Sequence, residues 1–210
     1  MEGEETPNDP HDILGTVQKG NVEDLKNLYS KLPEIFSRSN DNGDFIAHMA
    51  AKHGRSDILQ WLNSIKCKFN DEFNTAGFLP IHVAVLHGNL DCVLALKMGG
   101  ANMDAISESD ELTPLHLACR NGNVSIINVL ANANANLLAK DAYGNKPIDI
   151  AVNYGQAKAA EILAKKMGIA TPEVVALDND PTCKRITEEQ KKQNLKKLKQ
   201  RIRDTSTEGT

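Results

Sequence analysis

The sequence predicts an all-α solenoid, a row of short helix pairs stacked side by side and joined by projecting turns. Three periodic series predict it. Glycine recurs at Gly20, Gly54, Gly88, Gly122 and Gly155, at a nearly constant spacing. Alanine keeps step four places earlier, at Ala50, Ala84, Ala118 and Ala151. Histidine keeps step at His48, His82 and His116, and Asp149 takes the fourth place. A period of this length marks units that cannot bury their apolar side alone and must stack. Composition agrees. Hydrophobic residues make up 40% of the chain but aromatics only 4%, which suits thin, closely packed helices better than a sheet.

The elements follow in order. Residues 1–10 are acidic and polar and are expected to be disordered. Residues 11–39 carry Gly20 in phase but no helix-opening motif. A helix over 22–31 displays Glu23, Asp24, Lys26, Asn27 and Lys31. A terminal unit needs such a polar outer face, so this is the N-terminal cap. Four full units follow, at 40–73, 74–107, 108–140 and 141–168. The third is the most explicit. Thr113 is a good N-cap because its hydroxyl accepts from a free helix N–H. Pro114 falls at the first helical position, where its missing N–H does no harm. Leu115, Leu117, Ala118 and Cys119 form a small apolar face. Gly122 closes the helix where the backbone turns left-handed. A second helix carries Val124, Ile126, Ile127, Val129 and Leu130 as its stripe. The turn Asp141-Ala142-Tyr143-Gly144 then projects between units as a finger. Gly43, Gly77 and Gly144 mark such turns, and Glu111 stands at the third place. Gln156, Lys158, Glu161, Lys165 and Lys166 make the last unit a C-terminal cap.

The opening Thr113-Pro114-Leu115-His116 has close variants in Leu79-Pro80-Ile81-His82 and Lys146-Pro147-Ile148-Asp149, and a weaker one in Phe45-Ile46-Ala47-His48. Gly99-Gly100-Ala101-Asn102 closes a second helix. Together they resemble the ankyrin repeat, over residues 11–168. The resemblance implies a solenoid of helix-turn-helix units with β-turn fingers. It implies a structural role for the periodic histidines, bonding the finger and the helix start. It also implies a non-catalytic protein-binding module. Partners of such modules dock on the concave face, at the finger tips and the last turns of the first helices.

Carried over position by position, that face includes His53, Phe78, Leu86, His87, Leu112, Arg120, Tyr143 and Tyr154. The apolar and aromatic members are large where solvent favours polar residues. Aromatics and arginine dominate interface hot spots. Two readings stand at this point: the strip docks a protein segment, or its side chains fold down over neighbouring fingers. His53 and His87 directly precede repeat glycines and read either as partner contacts or as solvated residues. Cys92 and Cys119 read as small core residues, and Trp61 as a core residue beside Ile58, Leu59 and Leu62.

Other chemistries find little support. Cys67, Cys92, Cys119 and Cys183 show no metal-ligand spacing. The periodic histidines would stand about 10 Å apart in a stack, too far to share a metal. Neither a phosphate loop nor a nucleophile–histidine–acid set emerges. The expectation is therefore no enzyme, no cofactor, no metal and no small-molecule substrate. The acidic start does not read as a signal peptide, and no apolar run approaches the ~18 residues of a membrane span. A monomer in the cytoplasm is expected, with the nucleus as the alternative.

Residues 169–210 read as a linker and a basic helical or disordered tail. Thr187-Glu188-Glu189-Gln190 has the form of a capping box. The stretch from Lys184 to Arg203 is strongly basic, with nine Lys/Arg against two Glu, whereas the chain before it carries an excess of acid. Lys184 and Arg185, then Lys196, Lys197 and Lys199, resemble a two-part nuclear-import signal. The alternative function is thus a nuclear regulatory factor whose tail contacts nucleic acid or chromatin. The run holds no aromatic to stack on bases, which weighs against it.

Overall fold

The computed structural model describes residues 13–66 and 72–168. Ten α-helices fill these residues in pairs. They are α1 (Ile13–Lys19) with α2 (Val22–Lys31), α3 (Ile46–Lys52) with α4 (Ser56–Ser64), and α5 (Pro80–Leu86) with α6 (Leu90–Met98). Then come α7 (Pro114–Asn121) with α8 (Val124–Asn132) and α9 (Pro147–Asn153) with α10 (Ala157–Met167). A short 3-10 turn, Pro33–Ser37, follows α2. No strand occurs among the described residues.

The pairs stack in two layers. First helices pack in the order α1, α3, α5, α7, α9, and second helices in the order α2, α4, α6, α8, α10. The alanine series explains the first layer. Ala50, Ala84, Ala118 and Ala151 are fully buried between successive first helices. A methyl group lets two helix axes approach closely, and a larger side chain there would over-pack the seam. Leucine and isoleucine fill the second layer, with Ile58, Leu59, Leu96, Ile126, Ile127, Leu130 and Leu163 buried.

The local rules operate as the sequence predicts. Thr113 Oγ1 accepts from the His116 N–H, and Pro114 occupies the first turn of α7. The five repeat glycines all have left-handed backbone, with φ from +68° to +75°. In the cap, Asn21 Oδ1 accepts from the N–H groups of Glu23 and Asp24, so α2 opens without the Thr-Pro motif. Trp61 is half-buried and completes an edge-to-face cluster with Tyr29 and Phe36, at centroid distances of 5.3–5.8 Å. That cluster joins the cap to the first full unit.

Candidate functional site

Each finger is built by one side chain at its base. Asn40 Oδ1 accepts from the N–H groups of Asn42 and Asp44. Asn74 Oδ1 accepts from Ala76 and Phe78. Asp141 Oδ1 accepts from Tyr143 and Asn145. Such Asx turns replace a ladder of backbone bonds with one carboxamide or carboxylate oxygen. Ser107 does the same work in the third finger, where Oγ accepts from the Leu112 N–H. Backbone bonds then tie finger to finger: Thr75 N–H to Asn42 O, Glu108 N–H to Gly77 O, and Ala142 N–H to Asp110 O, at 3.0–3.1 Å. Gly43 must be glycine for this closeness, because a Cβ there would stand 2.7 Å from the Thr75 nitrogen.

The periodic histidines hold each finger to the next unit. The N–H groups of Phe45, Leu79 and Thr113 donate to Nδ1 of His48, His82 and His116 at 3.1–3.2 Å. An accepting Nδ1 puts the proton on Nε2. Nε2 then donates across the unit boundary: from His48 to Phe78 O (2.8 Å), from His82 to Ala105 O and Leu112 O (3.0 and 3.1 Å), and from His116 to Asn145 O (3.0 Å). Burial holds all three imidazoles below their ordinary pKa, and His82 at about 4. Asp149 accepts from the Lys146 N–H at 2.8 Å. No fifth finger stands beyond it among the described residues, so an acceptor alone suffices there.

A second tie runs between helix ends. After Gly54, Gly88 and Gly155 the next residue reaches back to the preceding unit. Arg55 donates to Gln18 O, Asn89 to Ala51 O and Lys52 O, and Gln156 to Arg120 O. In the third unit it is Asn121, the residue before Gly122, that donates to Val85 O and Leu86 O, at 3.4 and 3.2 Å. These ties fix the ends of the first helices as one continuous face.

The expected strip divides on this frame. Phe78 and Leu112 are not on the surface: they are 6% and 7% exposed. Their carbonyls accept from His48 and His82, and that pinning turns both side chains into the core. Leu86 is half-buried against the core. His53 and His87 are exposed at the C-termini of α3 and α5. Arg120, at the end of α7, stacks over the ring of Tyr154, with Cζ 5.3 Å from the centroid. Tyr143 is 76% exposed at its finger tip, and its hydroxyl lies 3.5 Å from Asp110 Oδ1. The structure thus brings together His53, Leu86, His87, Arg120 and Tyr154 as helix-end residues of successive units, with Tyr143 on the finger side. Lys184, Arg185, Lys196, Lys197 and Lys199 lie outside the described residues.

Partial desolvation by the surrounding chain lowers the pKa of the exposed His53 and His87 first, and the neighbouring positive charge of Lys52 lowers both further, so both are neutral at neutral pH. Cys92 and Cys119 are buried, and burial raises both thiols, Cys92 to about 12. Neither is activated for nucleophilic work. Among the described residues no group of three or more His, Cys, Asp or Glu is gathered to hold a metal, and no helix is long and apolar enough to cross a membrane.

A family model described as Ankyrin repeats (3 copies) matches residues 14–107 and 81–174. No curated protein matches the chain in sequence.

Proposed function

The chain belongs to the ankyrin-repeat family, whose repeats generally mediate protein–protein interaction, and from that premise we propose that it is a non-catalytic adaptor or regulator docking a protein partner on its finger-side face. Fold alone leaves function to the surface. The observation that carries the reading is Tyr143, a ring left 76% exposed on a finger that five backbone and side-chain bonds hold in place. A rigid aromatic already held in place loses little entropy on binding. His53, Leu86, His87, Arg120 and Tyr154 continue the contact surface along the helix ends. Phe78 and Leu112 serve it from below, by holding the fingers in register.

A photo-crosslinking residue placed at Tyr143 or at His87 tests this, with Met98 on α6 in the other layer as the comparison. Met98 is 83% exposed, so it is equally available to any sticky encounter. The expected result is one adduct shared by positions 143 and 87, competed away by unlabelled protein and absent at position 98. Adducts at position 98 alone, or none that saturate at 143 and 87, would overturn the assignment.

A further inference from the structure

Among the described residues three buried side-chain polar atoms have no hydrogen-bond partner: Nε of Arg55, Nε of Arg120 and Oδ1 of Asn153. Native proteins leave few such groups. Arg120 and Asn153 lie at the C-terminal ends of α7 and α9, which pack as neighbours. No carboxylate pairs with the Arg120 guanidinium among the described residues, and no carbonyl accepts from it. Of its three nitrogens, Nε is the one both buried and unpartnered. The Tyr154 ring beneath it holds the planar group in place.

Along the helix ends beyond it stand one cation, Lys52, and two imidazoles whose lowered pKa leaves them neutral N–H donors at neutral pH. Lys52 ends α3, and His53 and His87 follow α3 and α5. Lys52 lowers the pKa of both histidines, and His53 lowers that of His87, so these groups stand within electrostatic reach of one another. Asp44 is the carboxylate that acts back on both, but it is buried and accepts from Asn74 Nδ2 at 2.7 Å. A cation in the last turn does complement a helix dipole. That accounts for the charge of Lys52 and Arg120. It does not account for a half-buried guanidinium clamped on a ring with no anion facing it.

We propose that the row Lys52, His53, His87 and Arg120 takes an extended acidic segment of the partner protein, one carboxylate of which sits bidentate on the terminal nitrogens of Arg120 above Tyr154. The proposal rests on the docking reading and names its chemistry. A guanidinium fork matches a carboxylate in plane and spacing, and an ammonium does not. The register follows from geometry. Stacked helices stand about 8–10 Å apart. A polyproline II segment rises about 9 Å per turn of three residues. Acidic side chains at every third position would therefore meet successive units: Arg120, then His87, then His53 with Lys52.

The probe is a fluorescein-labelled peptide of four Glu-Pro-Pro repeats, titrated against the full chain by anisotropy at low salt. Four Lys-Pro-Pro repeats are the control. The acidic peptide should bind and the basic one should not. Arg120→Gln should weaken binding about tenfold, the scale of one charge-assisted hydrogen-bonded pair. Arg120→Lys should recover only part of the loss. His87→Gln, at an exposed position that does not threaten the fold, should weaken binding by a smaller factor, about threefold. Equal or tighter binding of the basic peptide, or an affinity that both glutamine variants leave unchanged, would overturn the proposal. Saturable adducts at positions 143 and 87 would in that case leave the docking reading standing and remove only the acidic specificity.

Discussion

A histidine repeated in three of the four full units does two jobs with one ring. Nδ1 caps its own helix start, and Nε2 donates to the next unit, so each imidazole must be neutral. Protonating Nδ1 would set it against the N–H it accepts from. The sign of the pH dependence follows. An unfolded imidazole titrates near 6.5, while buried His82 holds out to about 4. As pH falls from about 6.5 towards 4, the unfolded chain takes a proton that the native one refuses, and stability is lost. Above about pH 7 both forms are neutral and the contribution is flat. A shift of this size corresponds to roughly 3 kcal/mol for His82, and His48 and His116 act in the same direction. Urea denaturation should show stability falling between about pH 7.5 and 5. His82→Gln should be less stable at neutral pH and should show a shallower fall. An unchanged slope in the variant would refute the assignment. The histidines are legible in the sequence because their spacing is periodic. The burial of Phe78 and Leu112 is not. Spacing places them beside a finger glycine but says nothing of the direction their side chains take, which the carbonyl bonds to His48 and His82 decide.

At the scale of the element, the finger is where the sequence is least explicit. Glycine is visible at Gly43, Gly77 and Gly144. The side chains that build the turns, Asn40, Asn74, Ser107 and Asp141, also recur once per unit. That signal is present but mixed, because Asn, Ser and Asp share an acceptor oxygen rather than a name. The same holds for Arg55, Asn89 and Gln156, three different residues that each donate to the preceding unit. The third finger carries a testable consequence. Glu111 occupies the place of the finger glycines and has φ +51°. A non-glycine residue pays about 1–2 kcal/mol for left-handed backbone. Glycine loses about 0.4–1 kcal/mol more entropy on folding. Glu111→Gly should therefore stabilise the protein by about 0.5 kcal/mol, read as a higher urea midpoint with unchanged slope. A lower midpoint would mean that the Glu111 side chain contributes more than its backbone costs.

For the whole molecule, the order of packing decides how a defect spreads. α1 touches α3, α3 touches α5, α5 touches α7 and α7 touches α9, with a parallel series in the second layer. Stability in such a row is a sum of units and nearest-neighbour interfaces. This architecture is fully legible in the sequence, because the period and the polar faces of the end units are properties of spacing and composition alone. A cavity should consequently do different damage at different places. Leu115 in α7 and Leu163 in α10 are both fully buried, and either change to alanine should cost about 2–5 kcal/mol. Leu115→Ala weakens a unit with neighbours on both sides, so the array loses the link that couples its two halves. Leu163→Ala weakens the last described unit, which can open without taking the others with it. The lysines around it, Lys158 and Lys165, already face water, so among the described residues opening exposes one interface rather than two. Hydrogen exchange distinguishes the cases. Leu163→Ala should speed exchange in α9 and α10 and leave α3 to α6 nearly unchanged, whereas Leu115→Ala should speed it on both sides of α7. Equal acceleration throughout the array for both variants would mean that the units fold as one indivisible body and that nearest-neighbour contact is not what holds them.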